Sequence, residues 1–249
     1  MSLIICRVSQ APLRVLPDHR KEMCSQFLFG ETAEIIKEQA DGWALVSCTW
    51  DGYEGWVRLN QFKKIPAQVP QKIMYQKASV EVEGKEHFLP TGSEIPCNIN
   101  PGDEAALPPA GELSFLIPAL TSLYMHVPYC WGGRSQFGID CSGFVQVIFK
   151  LMEMSLPRDA RQQIVVGEKV EQLAKATCGD LLFFDDPDGS VTHVGIFLSP
   201  GKIIHCSGEV RIDHLDVDGI THSETGKRTH HLCMIKRVSS AVINEFSSL

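Results

Sequence analysis

The chain lacks long apolar runs and an excess of positive charge. No window of its 249 residues approaches the ~18 consecutive apolar residues that a membrane-spanning helix needs. Its 23 Lys and Arg residues against 30 Asp and Glu residues give a net charge of -7. Proteins that bind nucleic acid or anionic membranes usually present a basic surface. We therefore expect neither a nucleic-acid partner nor a membrane span.

The chain also lacks a secretion signal and any C-x-x-C spacing. Its first residues contain no basic stretch followed by an apolar core. The nine cysteines are odd in number, and a chain of this length can build a core without disulfides. We expect reduced thiols in a monomeric cytoplasmic protein, or a periplasmic or secreted one if a leader has been removed.

Residues 1–65 are typical of a small all-β module. The segment "AEIIKEQADGWALVSCTWDGYEGWVRLNQF" contains short apolar stretches separated by Asp41-Gly42 and Asp51-Gly52. Such dipeptides close β-hairpins. Together with "LRVLPDHRKEMCSQFLFGE", the pieces "DGWALV" and "GYEGWV" resemble a bacterial SH3 domain.

Residues 66–111 are rich in proline and glycine. Between "IPAQVPQ" and "LPTGSEIP", the stretch "ASVEVEGKEHFL" alternates like a strand. The segment is either a second SH3-like module or a linker, and the sequence leaves both readings open.

Residues 112–249 contain longer elements. The stretches "LSFLIPALTSLYMHV" and "SGFVQVIFKLMEM" are predicted helices, and the second has the composition of a buried one. Short apolar runs follow, which predict the strands "GDLLFFDD", "THVGIFLS" and "KIIHCSG" and the closing strand "HLCMIKRV". A helix followed by a meander of strands predicts an α+β domain with an antiparallel sheet.

Three residues of this domain suit nucleophilic catalysis. Cys141 begins the buried helix, while His193 opens one predicted strand and His205 ends the next. Adjacent antiparallel strands bring both histidines to one end of the sheet, where the helix start presents Cys141 to His193. A thiol titrates near ~8.5, and a helix N-terminus with a cationic histidine lowers that pKa. His205 would then orient the ring of His193.

The segments "PYCWGGRSQFGIDCSGFVQ", "GDLLFF…THVGIFL" and "KIIHCSG" resemble the NlpC-type cysteine peptidases, a papain-like family that hydrolyses bacterial cell-wall peptides. The resemblance implies that Cys141 is the nucleophile, His193 the base and His205 the orienting residue. It also implies that the hydroxyl of Tyr129 helps to stabilise the oxyanion, together with the backbone N–H of Cys141. The implied mechanism requires no metal and no cofactor.

An SH3-like module before such a domain resembles the γ-D-glutamyl-L-diamino acid endopeptidases. These enzymes cleave peptidoglycan stem peptides after γ-D-glutamate when the N-terminal L-alanine has a free amine. Without a leader, we expect the protein to meet peptides already released from the wall, which suits murein peptide recycling. The resemblance implies that Asp159 in "LPRDA" binds the free ammonium group and that Ser142 adds a hydrogen bond. Tyr53 and Glu54, from the SH3-like module, are candidates for the wall of the substrate pocket.

Other functions remain open at this point. One alternative is a non-catalytic protein that binds cell-wall peptides, and another is a cysteine amidase acting on another amide. A zinc site formed by Cys141, His193, His205 and Cys206 has suitable ligand types. However, the neighbours His205 and Cys206 would point to opposite faces of a strand.

Two acidic residues also have a purely structural interpretation. Asp159 can cap a helix spanning "ARQQIVVGEKV", and Asp140 can cap the helix that begins at Cys141. The charge of Asp140 would oppose a thiolate at Cys141, so we assign Asp140 no catalytic role.

Overall fold

The computed structural model describes residues 2–68, 70–99 and 113–239, and the chain divides into two compact units. The first unit comprises residues 1–107 and 130–138, and the second comprises residues 108–129 and 139–249. The division of the chain into segments 1–65, 66–111 and 112–249 stays a prediction.

The first unit is built mainly from a seven-stranded antiparallel sheet with the strand order β3-β2-β6-β5-β4-β1-β7. A short 3-10 turn, Leu59–Gln61, precedes the last of these strands. The strands of the unit are β1 (Ser2–Cys6), β2 (Gln10–Arg14), β3 (Met23–Leu28), β4 (Thr32–Glu38), β5 (Trp43–Cys48), β6 (Glu54–Arg58), β7 (Phe62–Ile65), β8 (Gln71–Ile73), β9 (Ala78–Val82), β10 (Lys85–Leu89), β11 (Glu94–Pro96) and β12 (Arg134–Ser135).

The predicted hairpin turns of this unit are confirmed. The turn from β4 to β5 contains Asp41-Gly42, and the turn from β5 to β6 contains Asp51-Gly52. Alternating side chains of the strands point inward, as a half-buried sheet requires. They form an apolar core of Ile4, Cys6, Ala11, Leu13, Phe27, Ala33, Ala44, Val46, Cys48 and Val57.

The stretch predicted as one strand, "ASVEVEGKEHFL", is a hairpin. β9 and β10 pair antiparallel, and the chain reverses at Glu83-Gly84, where both residues have positive φ. A second pair joins β8 to β11. The two pairs share a small apolar cluster with Phe29. Residues 69 and 100–111 of the predicted segment 66–111 lie outside the described residues, so its assignment as a module or a linker stays open.

A buried ion pair stabilises the first unit. The guanidinium of Arg134 contacts both carboxylate oxygens of Glu31, at 2.8 and 3.0 Å, and the two side chains are only 2% and 1% exposed. Arg134 also donates to the backbone oxygen of Gln26 at 2.7 Å. The N–H of Leu28 donates to Glu31 at 2.8 Å. Because both charges are removed from water, neither tolerates the loss of its partner.

The second unit contains an antiparallel sheet that closes on itself. Its strand order is β14-β20-β15-β16-β17-β18-β19, and β19 also pairs with β20. A short 3-10 turn spans Leu173–Lys175. The remaining elements of the chain are α1 (Leu113–Ser122), β13 (Gly138–Ile139), α2 (Cys141–Leu151), α3 (Ala160–Gln163), β14 (Glu168–Lys169), β15 (Leu181–Asp185), β16 (Val191–Ser199), β17 (Lys202–Ser207), β18 (Glu209–Asp216), β19 (Gly219–Thr221) and β20 (Arg228–Arg237).

The two helices predicted from the long apolar stretches and all four predicted strands are present, as α1, α2, β15, β16, β17 and β20. Every residue of α2 is buried, and the helix packs against β16 and β17. Strands β14, β18 and β19 were not predicted. None of the helices within the described ranges is long and apolar enough to cross a lipid bilayer.

We predict that Arg134→Met lowers the free energy of unfolding of the first unit by about 3 kcal/mol, because it leaves the Glu31 carboxylate buried without its partner. Urea unfolding followed by tryptophan fluorescence measures this unit alone. All four tryptophans of the chain lie in it: Trp43, Trp50, Trp56 and Trp131.

Lys64→Met is the matched control for this prediction. Its ion pair with Glu38 has the same 2.8 Å separation, but the side chains are 59% and 45% exposed. Its loss should therefore cost less than about 1 kcal/mol. Equal losses of unfolding free energy in the two variants would show that burial does not determine how much the Arg134–Glu31 pair stabilises the unit.

Candidate active site

Cys141 is the first residue of α2, and Asp140 forms the N-cap. The N–H of Gly143 donates to Oδ1 of Asp140 at 2.7 Å, which satisfies one donor of the first helical turn. The Cys141 side chain is 7% exposed. The sequence therefore placed both residues correctly at the start of a buried helix.

The environment of Cys141 raises its thiol pKa instead of lowering it. Burial is the largest cause and brings the pKa to about 11, and the charge of Asp140 adds to the rise. The N–H groups of Val194 and Ser142 and the charge of Arg158 act in the opposite direction but are outweighed. The expected low pKa was wrong because desolvation opposes an anion. The thiol is protonated near neutral pH and needs a base.

Arg158 neutralises the carboxylate beside this thiol. Its guanidinium contacts both oxygens of Asp140, at 3.0 and 2.6 Å, and donates to the Ser142 hydroxyl at 2.9 Å. Both charged side chains are almost fully buried. Sequence reasoning singled out Asp140 but missed its partner, which directly precedes Asp159 in "LPRDA".

The two predicted histidines lie together, as expected. Nε2 of His193 on β16 is 2.8 Å from Nδ1 of His205 on β17. Gly195 pairs with His205 across the two strands, so His193 lies diagonally opposite on the same face. A Cβ atom at Gly195 would lie only 2.9 Å from that of His205, which explains the glycine in "HVGI".

The line of hydrogen bonds continues to Asp213 on β18, which the sequence reasoning missed. Nε2 of His205 is 3.0 Å from Oδ2 of Asp213. Asp213 also accepts hydrogen bonds from Arg211 and from the N–H of Ser223, both at 2.9 Å. Burial alone would raise the pKa of Asp213. The hydrogen bonds from His205, Ser223 and Arg211 outweigh burial and hold that pKa below its ordinary value.

The ionised Asp213 determines where each ring proton lies. A carboxylate only accepts hydrogen bonds, so Nε2 of His205 is the donor. Burial lowers the pKa of His205, so this ring is neutral and its Nδ1 is an acceptor. Nε2 of His193 must then carry a proton. By this assignment Nδ1 of His193 is unprotonated and is the nitrogen that can take a proton from Cys141.

Aromatic rings enclose His193. The ring of His230 stacks on it with a centroid separation of 4.2 Å and an angle of 26°, and Phe184 approaches to 5.8 Å. Burial, followed by the neighbouring His205, His230 and Arg211, lowers the pKa of His193 well below 6.5. Burial also lowers the pKa of His230 to about 4. No sequence pattern connected His230 with the site.

Tyr129 lies near the nucleophile and is 36% exposed. Burial, then the proximity of Cys141, Asp140 and Cys206, raises the pKa of Tyr129 above its usual value. Its hydroxyl is therefore protonated at neutral pH and can donate a hydrogen bond. The structure thus brings Tyr129 into the neighbourhood of Cys141, while its part in stabilising an oxyanion stays a prediction.

The segment that carries Asp159 is attached to the start of α2. Asp159 caps α3 in a capping box with Gln162. Nε2 of Gln163 donates to the backbone oxygen of Ser142 at 3.1 Å. The helix expected over "ARQQIVVGEKV" ends at Gln163, because the chain turns at Gly167 into β14.

The roles proposed for the remaining binding residues stay predictions. The Ser142 hydroxyl contacts Arg158 at 2.9 Å and Asp140 at 3.4 Å. Tyr53 and Glu54 lie in the first unit at the start of β6, where Tyr53 is half-buried at the edge of the apolar core and Glu54 is exposed.

The described residues contain no group of three or more His, Cys, Asp and Glu side chains arranged to hold a metal ion. The nitrogens of His205 face His193 and Asp213, and Sγ of Cys206 donates to the backbone oxygen of Ile139 at 3.2 Å. Three of the four residues considered for zinc, His193, His205 and Cys206, therefore have other contacts.

We predict that Asp213→Asn changes the tautomers of both histidines. The amide removes the ionised acceptor, so Nε2 of His205 is no longer held as a donor and its proton can move to Nδ1, which then donates to His193. Proton acceptance from Cys141 is lost, and acyl transfer at this thiol slows by about 10² to 10⁴. Long-range ¹H–¹⁵N spectra of histidine-labelled protein report the tautomers directly.

Asp185→Asn is the control, since Asp185 contacts the exposed His231 at 2.8 Å. It should leave the resonances of His193 and His205 unchanged. Unaltered tautomers in Asp213→Asn would show that Asp213 does not set the proton positions.

Comparison with known proteins agrees with this geometry. The NlpC/P60 family model matches residues 126–231, and the model of the bacterial dipeptidyl-peptidase SH3 domain matches residues 13–62. A gamma-D-glutamyl-L-lysine dipeptidyl-peptidase of Bacillus subtilis is 27% identical over 238 residues, covering 77% of each chain. A probable endopeptidase NlpC of Escherichia coli is 32% identical over 123 residues, covering 46% of this chain and 79% of that protein.

The fold agrees as well. The crystal structure of an NlpC/P60 family protein from Bacillus cereus superposes with a TM-score of 0.79, covering 95% of this chain and 99% of that one at 21% identity. The chain belongs to the NlpC/P60 family of cysteine peptidases and carries an SH3-like all-β module before the family domain.

Proposed function

We propose that this protein hydrolyses the bond between γ-D-glutamate and an L-diamino acid in peptidoglycan stem peptides that have a free N-terminal L-alanine. The observation that carries the proposal is the buried line from His193 through His205 to Asp213, with Cys141 at the start of α2 packed against β16. Nucleophile, base and orienting groups are the parts that covalent acyl transfer needs. We read this helix-and-sheet arrangement as α+β and papain-like.

The first half of the reaction acylates Cys141. Nδ1 of His193 takes the thiol proton as Sγ attacks the γ-carbonyl carbon of D-glutamate. The new C–S bond gives a tetrahedral oxyanion, which collapses as the C–N bond breaks. The imidazolium of His193 protonates the departing amine. Because the pKa of Cys141 is raised to about 11, proton transfer accompanies attack.

The second half releases the acyl group. Water enters where the amine has left, and Nδ1 of His193 takes one of its protons during attack on the thioester. The C–S bond breaks, and the thiolate recovers the proton from His193. In both halves of the reaction, the ionised Asp213 stabilises the imidazolium of His193 through His205. A second histidine without this carboxylate would stabilise that positive charge poorly.

Two donors are proposed for the oxyanion. One is the backbone N–H of Cys141, which belongs to the first turn of α2, where N–H groups point out of the helix. The other is the Tyr129 hydroxyl, whose raised pKa keeps its proton in place.

Recognition of the free amine is proposed for Asp159. This carboxylate follows Arg158, whose guanidinium contacts Asp140 and Ser142 at the start of α2. A fixed carboxylate near the nucleophile can bind an ammonium group and discriminate against an acylated amine, which has lost its charge. Ser142, Tyr53 and Glu54 are proposed as further substrate contacts.

The similarity to the Bacillus subtilis gamma-D-glutamyl-L-lysine dipeptidyl-peptidase supports the choice of bond. We accordingly propose a role in murein peptide recycling in the cytoplasm, on peptides already released from the wall.

The deciding experiment incubates the protein with L-Ala-γ-D-Glu-L-lysine, with a free or an acetylated N-terminus, and follows the products by mass spectrometry. We expect L-Ala-D-Glu from the free peptide, no product from Cys141→Ala, and cleavage of the acetylated peptide reduced by at least about tenfold.

Asp159→Asn separates catalysis from amine recognition, since an amide keeps the N-cap of α3 but loses the charge. It should raise KM for the free peptide and leave kcat for the acetylated peptide unchanged. Equal cleavage of both peptides by the native protein would show that Asp159 does not recognise the free amine. Absence of cleavage would favour another amide or a protein that only binds cell-wall peptides.

We further predict that kcat/KM falls on the acid side only below pH 6.5. His193 must be unprotonated to accept a proton, and burial with its charged neighbours lowers its pKa well below 6.5. The base thus stays competent as the pH drops through the ordinary range of histidine. A pH–rate profile of the free tripeptide tests this, and an acid limb centred at or above 6.5 would contradict it.

A further inference from the structure

The buried pair of Asp140 and Arg158 exceeds what helix capping requires. An N-cap needs only one acceptor oxygen, which Ser, Thr or Asn supplies as well as Asp. Here Asp140 uses one oxygen for the N–H of Gly143, and Arg158 contacts both oxygens. Burying two charges costs desolvation energy and is seldom the most stable solution for a core.

The two members of the pair come from different segments and have opposite effects on the nucleophile. Asp140 precedes Cys141 in the chain, whereas Arg158 reaches the same place from a separate segment and also contacts the Ser142 hydroxyl. The carboxylate therefore opposes a negative charge on Sγ, and the guanidinium favours it. Of the two effects on the pKa of Cys141, that of Asp140 is the larger.

Three titratable neighbours of Cys141 are uncharged near neutral pH. Burial lowers the pKa of His193 on β16 and raises that of Cys206 on β17, and it also raises the pKa of Tyr129. Among formal charges, those of Asp140 and Arg158 have the largest effects on the pKa of the Cys141 thiol.

We propose that Asp140 and Arg158 are positioning residues that together set the charge state of the Cys141 thiol, with the carboxylate suppressing and the guanidinium restoring its ionisation. The pair keeps the thiol unreactive in the resting enzyme while leaving it within reach of proton transfer to His193. This inference rests on the proposed function only in taking Cys141 as the nucleophile.

The test is the pH dependence of Cys141 alkylation by iodoacetamide. Because eight other cysteines are present, the modified Cys141 peptide is quantified by mass spectrometry. The midpoint of the pH–rate profile is used, since the intrinsic nucleophilicity of a thiolate also changes with its pKa. The method needs no substrate.

We expect the two single substitutions to shift the midpoint in opposite directions. Asp140→Asn keeps the cap but leaves Arg158 uncompensated, so the thiolate population at pH 7 rises by about tenfold. Arg158→Gln leaves the carboxylate uncompensated, so that population falls by about tenfold. Because the effect of Asp140 is the larger, the double variant should lie between the native protein and Asp140→Asn.

Two further variants separate this electrostatic effect from loss of structure. Arg158→Lys keeps the charge but loses the bidentate contact, so it should melt at a lower temperature with an unchanged midpoint. Asp180→Asn breaks another bidentate pair of the same unit, with Arg237 at 2.8 and 2.7 Å. It should likewise lower the melting temperature without moving the midpoint.

Shifts of Asp140→Asn and Arg158→Gln in the same direction, or no shift in either, would overturn the proposal and leave the pair a structural element. Opposite shifts without cleavage of the γ-D-glutamyl peptide would retain the proposal and reject the substrate. Hydrolysis by Cys141→Ala would reject the nucleophile and with it the role of the pair.

Discussion

The contact between Nε2 of His205 and Oδ2 of Asp213 determines the chemistry of the site, because it fixes the proton on each imidazole in turn. Without an acceptor-only group at the end of the line, either ring could exchange its tautomer, and Nδ1 of His193 would be a base only part of the time. The hydrogen bonds from Arg211 and Ser223 keep this carboxylate ionised although it is buried. A hydrogen-bonded and charge-balanced carboxylate can remain in a core where an isolated one would take up a proton.

Antiparallel pairing supplies this alignment at two successive strand junctions. Gly195 faces His205 across β16 and β17, and His205 faces Arg211 across β17 and β18. In each case the partner lies two residues along the neighbouring strand and therefore on the same face. A register slip of one residue in either pairing would move His193 or Asp213 to the opposite face of the sheet and break the line.

The sequence predicted the elements that carry regular patterns. Apolar periodicity located α2 and the strands of both histidines, and the Asp-Gly dipeptides located the hairpins of the first unit. Asp213 was missed because "GEVRIDHLDVDG" mixes charged and apolar residues and was not read as a strand, although glycine bounds it on both sides. Arg158 was missed because its partner is 18 residues away in the chain, a contact that no local spacing encodes.

Cys141 is not the thiolate that the sequence predicted, because the free energy of burying its charge exceeds that gained from the helix N-terminus. A helix N-terminus favours an anion by about 0.3–1 kcal/mol. Raising the thiol pKa from 9.0 to about 11 corresponds to about 3 kcal/mol, with burial as its largest cause. Desolvation therefore exceeds the helix dipole, and the start of α2 does not ionise its cysteine unaided. The line of His193, His205 and Asp213 must provide the difference at the moment of attack, by accepting the proton into a ring whose positive charge Asp213 balances.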